Sequence, residues 1–471
     1  MDRLPTELLL AIAGEVPEQI DRLNLLRVCR TWRETLLDLA YSALEVETLQ
    51  IPQLIETLLH DPEIARSVRR IDVRDQPGER EWPDPPPIST NVQALVGKIA
   101  KSPKEATDWC SDLHDSPPDS WTALLLALVP NLKTLAWDTA WPGFWVTTVV
   151  LGASNREPPF DTQPALQSLS RVEFTLQDPD DPSDYIYFRE IVSLLHLRFL
   201  RYLSMEKIKD EAYSEGGLSR VRAAHPNFKD LVGTSPIEIL NLSAQCNLNF
   251  GAGFLINACA NLREFIYQHE NEVEEFGYRD FRVRAFRDPL LGQKHSLEVL
   301  HLNDTGESGV GIEEPEDEND FEPADRWFGS FAEFERLRDL RVRAQNLLNL
   351  HPSDSHHLLI LKDVLPRSLK YLHVAHCDEA YSVVLADGLL GVLTERKELF
   401  PDLEQIFIYA ALAESSQPQP AGPHRPPSDV RVLAAISERF APVMAMCKRA
   451  GIIFNLSLRN DYKIVYLGGD A

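Results

Sequence analysis

Cations are scarce in this chain: 47 Lys and Arg stand against 72 Asp and Glu, a formal net charge of −25. The shortage argues against binding to nucleic acid or to an anionic membrane, because such affinity comes from basic side chains displacing the counterions of phosphate groups. Long apolar runs are missing too. The nearest candidate, GFWVTTVVLGA at 143–153, falls short of the ~20 residues that cross a bilayer and reads as a buried strand or helix. No basic stretch followed by an apolar core opens the chain, so no leader is expected. Cysteine is sparse: Cys29, Cys110, Cys246, Cys259, Cys377 and Cys447 are scattered, with no CxxC. That spacing predicts a reducing, intracellular setting, cytoplasmic or nuclear, without a disulfide framework. The Asn-x-Ser/Thr matches at Asn241, Asn303 and Asn455 then carry no weight.

Catalytic signatures are also lacking. There is no Walker glycine loop, no G-x-G-x-x-G between a strand and a helix, no G-x-S-x-G and no HExxH, so nucleotide, acyl-transfer and zinc-peptidase chemistries have no motif to stand on. GESGVG at 306–311 sits in an acidic stretch. His373, His376 and Cys377 lie close together, and His356 and His357 are adjacent; a metal needs three or four convergent ligands in a closed geometry, and a continuing strand would turn His373 and His376 to opposite sides. No metal and no cofactor are expected.

What the sequence does have is ordinary globular composition, 44% apolar and 25% charged, in a chain long enough for two or three domains or one repeat array. One pattern recurs along it: an apolar residue, a second three positions on and a third two positions after that. VRRIDV (68–73), LKTLAW (132–137), LSRVEF (169–174), LRYLSM (200–205), IEILNL (237–242) and LREFIY (262–267) carry it. LEVLHL (297–302), LRDLRV (337–342), LKYLHV (369–374), LEQIFI (403–408) and IFNLSL (453–458) continue it. The last two apolar positions alternate with a variable one, as a half-buried strand requires. Between copies, IPQLIETLLHDPEIARSV, YFREIVSLLHL and VRVLAAISERFAPVMAMCKRAG space their apolar residues as helices do. The expected fold is therefore α/β: an irregular solenoid with parallel strands on the concave side and helices on the convex side. Pro-rich stretches at 75–90 and 414–429 and an acidic run at 303–325 are expected to be disordered loops within it.

The front of the chain differs. In LPTELLLAIAGEVPEQIDRLNLLRVCRTW (4–32), Pro5 and Glu7 suit a first helical turn, and Leu8, Leu9, Ile12 and Val16 form an apolar stripe. Pro17 and Glu18 restart a helix that carries Ile20, Leu23, Leu25 and Leu26 toward Val28; a third helix from Arg30 aligns Trp32, Leu36 and Leu39. Three short helices have little core, and units of this size need a metal, a disulfide or a partner.

These residues resemble an F-box: Leu4-Pro5, Glu7-Leu8-Leu9, Ile12, the Leu-rich second helix, Val28-Cys29-Arg30 and Trp32. The downstream array resembles degenerate leucine-rich repeats, LxxLxL, at intervals of about thirty to forty residues, longer than the ~20–29 of regular ones. Fungal F-box proteins in particular resemble this layout. The departure is Ala-Gly-Glu-Val at the end of the first helix, where many members are bulkier. The resemblance implies an F-box over 1–45 and a recognition domain over 46–471. It implies the substrate-receptor subunit of a Skp–cullin–F-box ubiquitin ligase, with no catalysis of its own. By position, Leu4, Pro5, Leu8, Leu9, Ile12, Leu25, Val28, Cys29 and Trp32 are carried to the Skp-type adaptor interface or its immediate support, and the cullin is reached through that adaptor. A protein substrate would meet the outward strand residues Glu173, Glu264, His301, Arg341, Arg343, Tyr371, His373, Gln405 and Phe407, since the alternating apolar ones are committed to the core. Two alternatives stay open: an interaction scaffold without ubiquitination, and an enzyme whose cleft these patterns miss.

Overall fold

A computed structural model describes residues 4–16, 18–74, 87–115, 117–138, 143–175, 186–209, 231–244, 249–269, 283–304, 327–348, 360–410 and 428–457. Most of the three expected loops (75–86, 305–325 and 414–427) lies outside the described residues. The chain divides into two compact units, Met1–Glu238 with Ala258–Ala260, and Ile239–Asn257 with Asn261–Ala471.

In the first unit, strands β1 (Ala43–Glu47), β2 (Arg70–Arg74), β3 (Thr134–Asp138), β4 (Arg171–Phe174) and β6 (Tyr202–Lys209) pair in parallel and in chain order, with β5 (Ile186–Tyr187) added beside β6. The second unit repeats the plan with β7 (Ile239–Ala244), β8 (Glu264–His269), β9 (Val299–Asp304), β10 (Asp339–Arg343), β11 (Tyr371–Cys377), β12 (Gln405–Ala410) and β13 (Ile453–Ser457). The α/β solenoid expected from the sequence is what each unit forms. In the first ten copies of the repeat, every one of the three apolar positions is at most 2% exposed. Burying each such side chain is worth about 1.5–3 kcal/mol before entropy is subtracted, so the pattern is the core.

Register is set at strand entry. The carbonyl of the residue before a strand accepts two backbone N–H groups from the next repeat: Arg69 O from Lys133 and Thr134, Arg263 O from Glu298 and Val299, Glu298 O from Arg338 and Asp339. At several of these places opposite charges meet across neighbouring strands. Glu298 bridges Arg263 and Arg338 at 2.8 Å each, and Lys370 reaches Glu404 at 3.5 Å.

Three expectations change. The helical backing is continuous only in part. In the first unit α4 (Ile51–His60), α5 (Pro62–Ser67), α6 (Thr90–Ile99), α7 (Pro103–Asp115), α8 (Pro117–Leu128) and α9 (Phe144–Asn155) supply it, α9 being the GFWVTTVVLGA stretch, buried over most of its length. YFREIVSLLHL instead makes one helical turn, Phe188–Ile191, and a 3-10 turn, Val192–His196. Between β9 and β11 the covering is aromatic: Phe328, Phe331 and Phe334 are fully buried, the first two stacked at 4.4 Å. The second unit has long helices at Asn249–Ala258, Glu379–Thr394 and Ser428–Ala450, the last two packing on each other. The final copy is displaced by two residues. Phe454 and Leu456 take the register of Ile406 and Ile408, while Ile453 is 52% exposed. Finally, β1 begins at Ala43 without a full LxxLxL, because Leu44 and Val46 suffice for its buried face; an F-box ending at 45 would stop inside a strand.

Candidate functional site

At the front, Pro5 occupies the N-cap of α1 (Thr6–Gly14), and its carbonyl accepts the backbone N–H groups of Leu8 and Leu9, both at 3.1 Å. α2 (Gln19–Leu25) and α3 (Arg30–Tyr41) follow. The core of this bundle is small: Leu9, Ala13, Trp32 and Leu36 are buried, with Leu25, Leu26, Cys29 and Leu39 packed against them. α3 also ties the bundle to the first repeat. Arg33 pairs with Asp61 at 3.0 Å, and Asp38 accepts a hydrogen bond from the Ser67 hydroxyl.

The apolar stripe expected of α1 therefore splits. Leu9 is 3% exposed and Ala13 1%, whereas Leu8 is 51% and Ile12 48% exposed, one turn apart on another side of the helix. Leu4 (40%) and Val28 (53%) are open as well, and so are Ile20 (63%) and Leu10 (40%), which the expectation omitted. Their exposure shows only in three dimensions, because Ile20 has helical apolar spacing like its partly buried neighbours Leu25 and Leu26. Of the nine carried positions, Leu4, Pro5, Leu8, Ile12 and Val28 are open to a partner. Leu9 and Trp32 hold the bundle together, and Leu25 and Cys29 lie between these roles. The indole Nε1 of Trp32 is enclosed without a hydrogen-bond partner among the described residues, as befits a side chain spent on packing.

The second candidate surface is the outward face of the strands. Glu173 belongs to the first unit, where Arg171 neutralises it at 2.5 Å and lies over the Tyr202 ring at 3.7 Å. The other eight belong to the second unit, in two rows fixed by register. Glu264, Val299, Asp339, Tyr371 and Gln405 are successive partners, and so are Ile266, His301, Arg341, His373 and Phe407. Arg343, next outward on β10, is almost fully buried at 5% exposure, and its Nη2 lies 3.4 Å from His376 Nδ1.

Asp339, absent from the expected set, sits within this cluster. It occupies the variable position just before Arg341, so the alternation that selected Arg341 could have found it. Its carboxylate is 3.1 Å from His301 Nε2. Burial would raise its pKa, but His301, His373 and Arg341 outweigh burial and lower it. The His373 ring stacks on Phe407 at 4.6 Å. Burial, and then Arg341, push its pKa down to about 4, which leaves it neutral at pH 7. Glu264 is raised by burial against the pull of Arg263 and Arg338.

His376 sits at a bulge between Val374 and Cys377 with φ 51°, so it turns to Arg343 and not to a common point with His373. Among the described residues no three His, Cys, Asp or Glu side chains gather as a metal site would need; His356 and His357 lie outside the described residues. Burial pushes the thiols of Cys259 and Cys377 up to about 12 and that of Cys447 to about 11, which makes them packing groups and not nucleophiles. No described helix is long and apolar enough to cross a membrane.

Residues 1–41 match a family model described as F-box-like, and residues 227–412 match one described as a leucine-rich repeat domain. No curated protein matches the chain.

Proposed function

The chain joins an F-box-like domain to a leucine-rich repeat domain, and from that premise we propose that it is a non-catalytic adaptor of a ubiquitin ligase, the substrate receptor of a Skp–cullin–F-box complex. The observation that carries the proposal is the split of α1. A bundle this small keeps Leu9, Ala13, Trp32 and Leu36 for its core and leaves Leu8, Ile12, Ile20 and Val28 about half exposed or more. Exposed large apolar side chains on these short helices support a protein-binding surface, and helix faces presented to a groove are a standard recognition mode. The Skp-type adaptor fits this face, and the cullin follows through the adaptor.

The repeat domain then holds a protein substrate. Tethering raises the local concentration of substrate lysines beside a charged conjugating enzyme, a gain of geometry that needs no active site in this chain. The test is replacement of the chain in its own cells by a Leu8→Asp/Ile12→Asp variant. Proteins that co-purify with both forms should accumulate, and lose ubiquitin, in cells carrying the variant. Unchanged levels of every shared partner would mean that the chain is a scaffold without ubiquitination output.

A further inference from the structure

Among the described residues β13 is the last strand of the second unit and pairs only with β12. Native edge strands are ordinarily shielded by lysine, proline, a bulge or a covering segment; β13 (Ile453–Ser457) contains no charged residue and no proline. The apolar core is uncovered at the same place. Phe454 and Leu456 stand in register with Ile406 and Ile408, which are 0% and 1% exposed, yet they themselves are only partly buried. Phe454 packs on the buried ring of Phe440 at 5.9 Å, and Met444, one helical turn on from Phe440, is 45% exposed. Arg439 binds Glu379 and Ser382 of the preceding helix. Met444 lies five residues later, a rotation of about 140°, and so faces away from that helix.

A second copy, a segment of another protein or the residues that follow β13 could cover this end. The charge of −25 on every copy opposes self-association. Residues 458–471, LRNDYKIVYLGGDA, follow β13 directly and lie outside the described residues. Within them YKIVYL at 462–467 has the β-branched and aromatic content of a strand, with Asn460-Asp461 before it and Gly468-Gly469 after it as turn residues. A short tether gives this segment a local concentration on the order of millimolar at the edge, which a separate partner has to exceed.

Backbone geometry restricts the register. Ile453 donates its N–H to Glu404 O at 2.9 Å, so by alternation the N–H and C=O groups of Phe454 and Leu456 face the outer edge. An antiparallel return must pair with the chain at those residues. A two-residue turn at 459–460 would set Lys463 opposite Leu456, and a four-residue turn at 459–462 would set it opposite Leu458; both place a charge on the apolar face. A three-residue turn at 459–461 sets Ile464 opposite Leu456 and Tyr466 opposite Phe454, and leaves Lys463 outward. Hairpin loops of this length use a left-handed residue, which Asn and Asp tolerate.

We propose that residues 462–467 are the closing strand of the array, antiparallel to β13, with Ile464 covering Leu456 and Tyr466 covering Phe454. Antiparallel edge strands on otherwise parallel sheets are common, and terminal caps of this kind shield the last apolar face of a repeat array. The partner of this edge is then the chain itself, neither a substrate nor a second copy.

The test is hydrogen–deuterium exchange of the full chain, resolved to single amides by fragmentation. In the unsubstituted chain the N–H groups of Phe454, Leu456, Ile464 and Tyr466 should exchange at least about a hundredfold more slowly than in an unstructured peptide, as amides within a cooperative unit do. Their protection should be the same at low and high protein concentration. Ile464→Asp should abolish it at Phe454 and Leu456, whereas Val465→Asp, one residue along on the outward side, should retain most of it. Exchange of Ile464 and Tyr466 at the peptide rate overturns the proposal. So does protection that grows with concentration, which would make a second copy the occupant. Protection of 462–467 without protection of Phe454 and Leu456, or equal losses in the two variants, overturns it as well. The unsubstituted chain alone decides the matter if a variant fails to fold.

Discussion

In α1, Leu8 and Leu9 are separated by a rotation of about 100°, and that rotation assigns Leu8 to the surface and Leu9 to the core. Substitutions should separate the two roles. Leu9→Ala should cost about 2–5 kcal/mol and Trp32→Ala about 3–5 kcal/mol of the bundle's stability, visible as fast hydrogen exchange confined to residues 4–41. Leu8→Asp/Ile12→Asp should leave exchange in the bundle unchanged, since surface substitutions shift stability by about 0.5 kcal/mol or less. His373 gives a second residue-level expectation. Its ordinary pKa of 6.5 is lowered in the fold to about 4, so between those values the unfolded chain binds the extra proton, and stability falls as pH drops through that window. Urea midpoints measured from pH 7 to pH 5 should decline, and less steeply in His373→Asn; an identical slope would mean that the ring is not held neutral.

At the scale of elements, ion pairs join some neighbouring strand entries. Glu298 accepts from Arg263 and is attracted by Arg338, which lowers its pKa despite partial burial. Glu298→Ala should destabilise the second unit by about 1 kcal/mol, the upper range for partly exposed pairs, read as a lower urea midpoint; no change would reduce these pairs to decoration. This scale was also the most legible in the sequence. LxxLxL named ten strands, because period-2 burial leaves a direct imprint on residue choice. It misplaced the last, where Ile453, Leu456 and Leu458 imitate the spacing while Phe454 takes the buried register. It also overstated the helical backing, because YFREIVSLLHL spaces its apolar residues like a helix but makes tight turns. The candidate site was legible only in outline. Alternation selected Arg341 and His373 and offers Asp339 as well, while the pairing of Asp339 with His301 and the bulge at His376 depend on contacts across strands that no linear spacing records.

At the scale of the whole molecule, an acidic chain with a repeat array presents at its front an apolar helix face that its own core does not use. The claim that this face is the adaptor's seat is tested most directly by the affinity of the purified full chain for a Skp-type adaptor, measured by titration calorimetry with and without Leu8→Asp/Ile12→Asp. The account expects tight binding by the unsubstituted chain and a loss of at least a hundredfold, about 2.7 kcal/mol, in a variant whose melting temperature is unchanged. Equal affinity of the two proteins would contradict it.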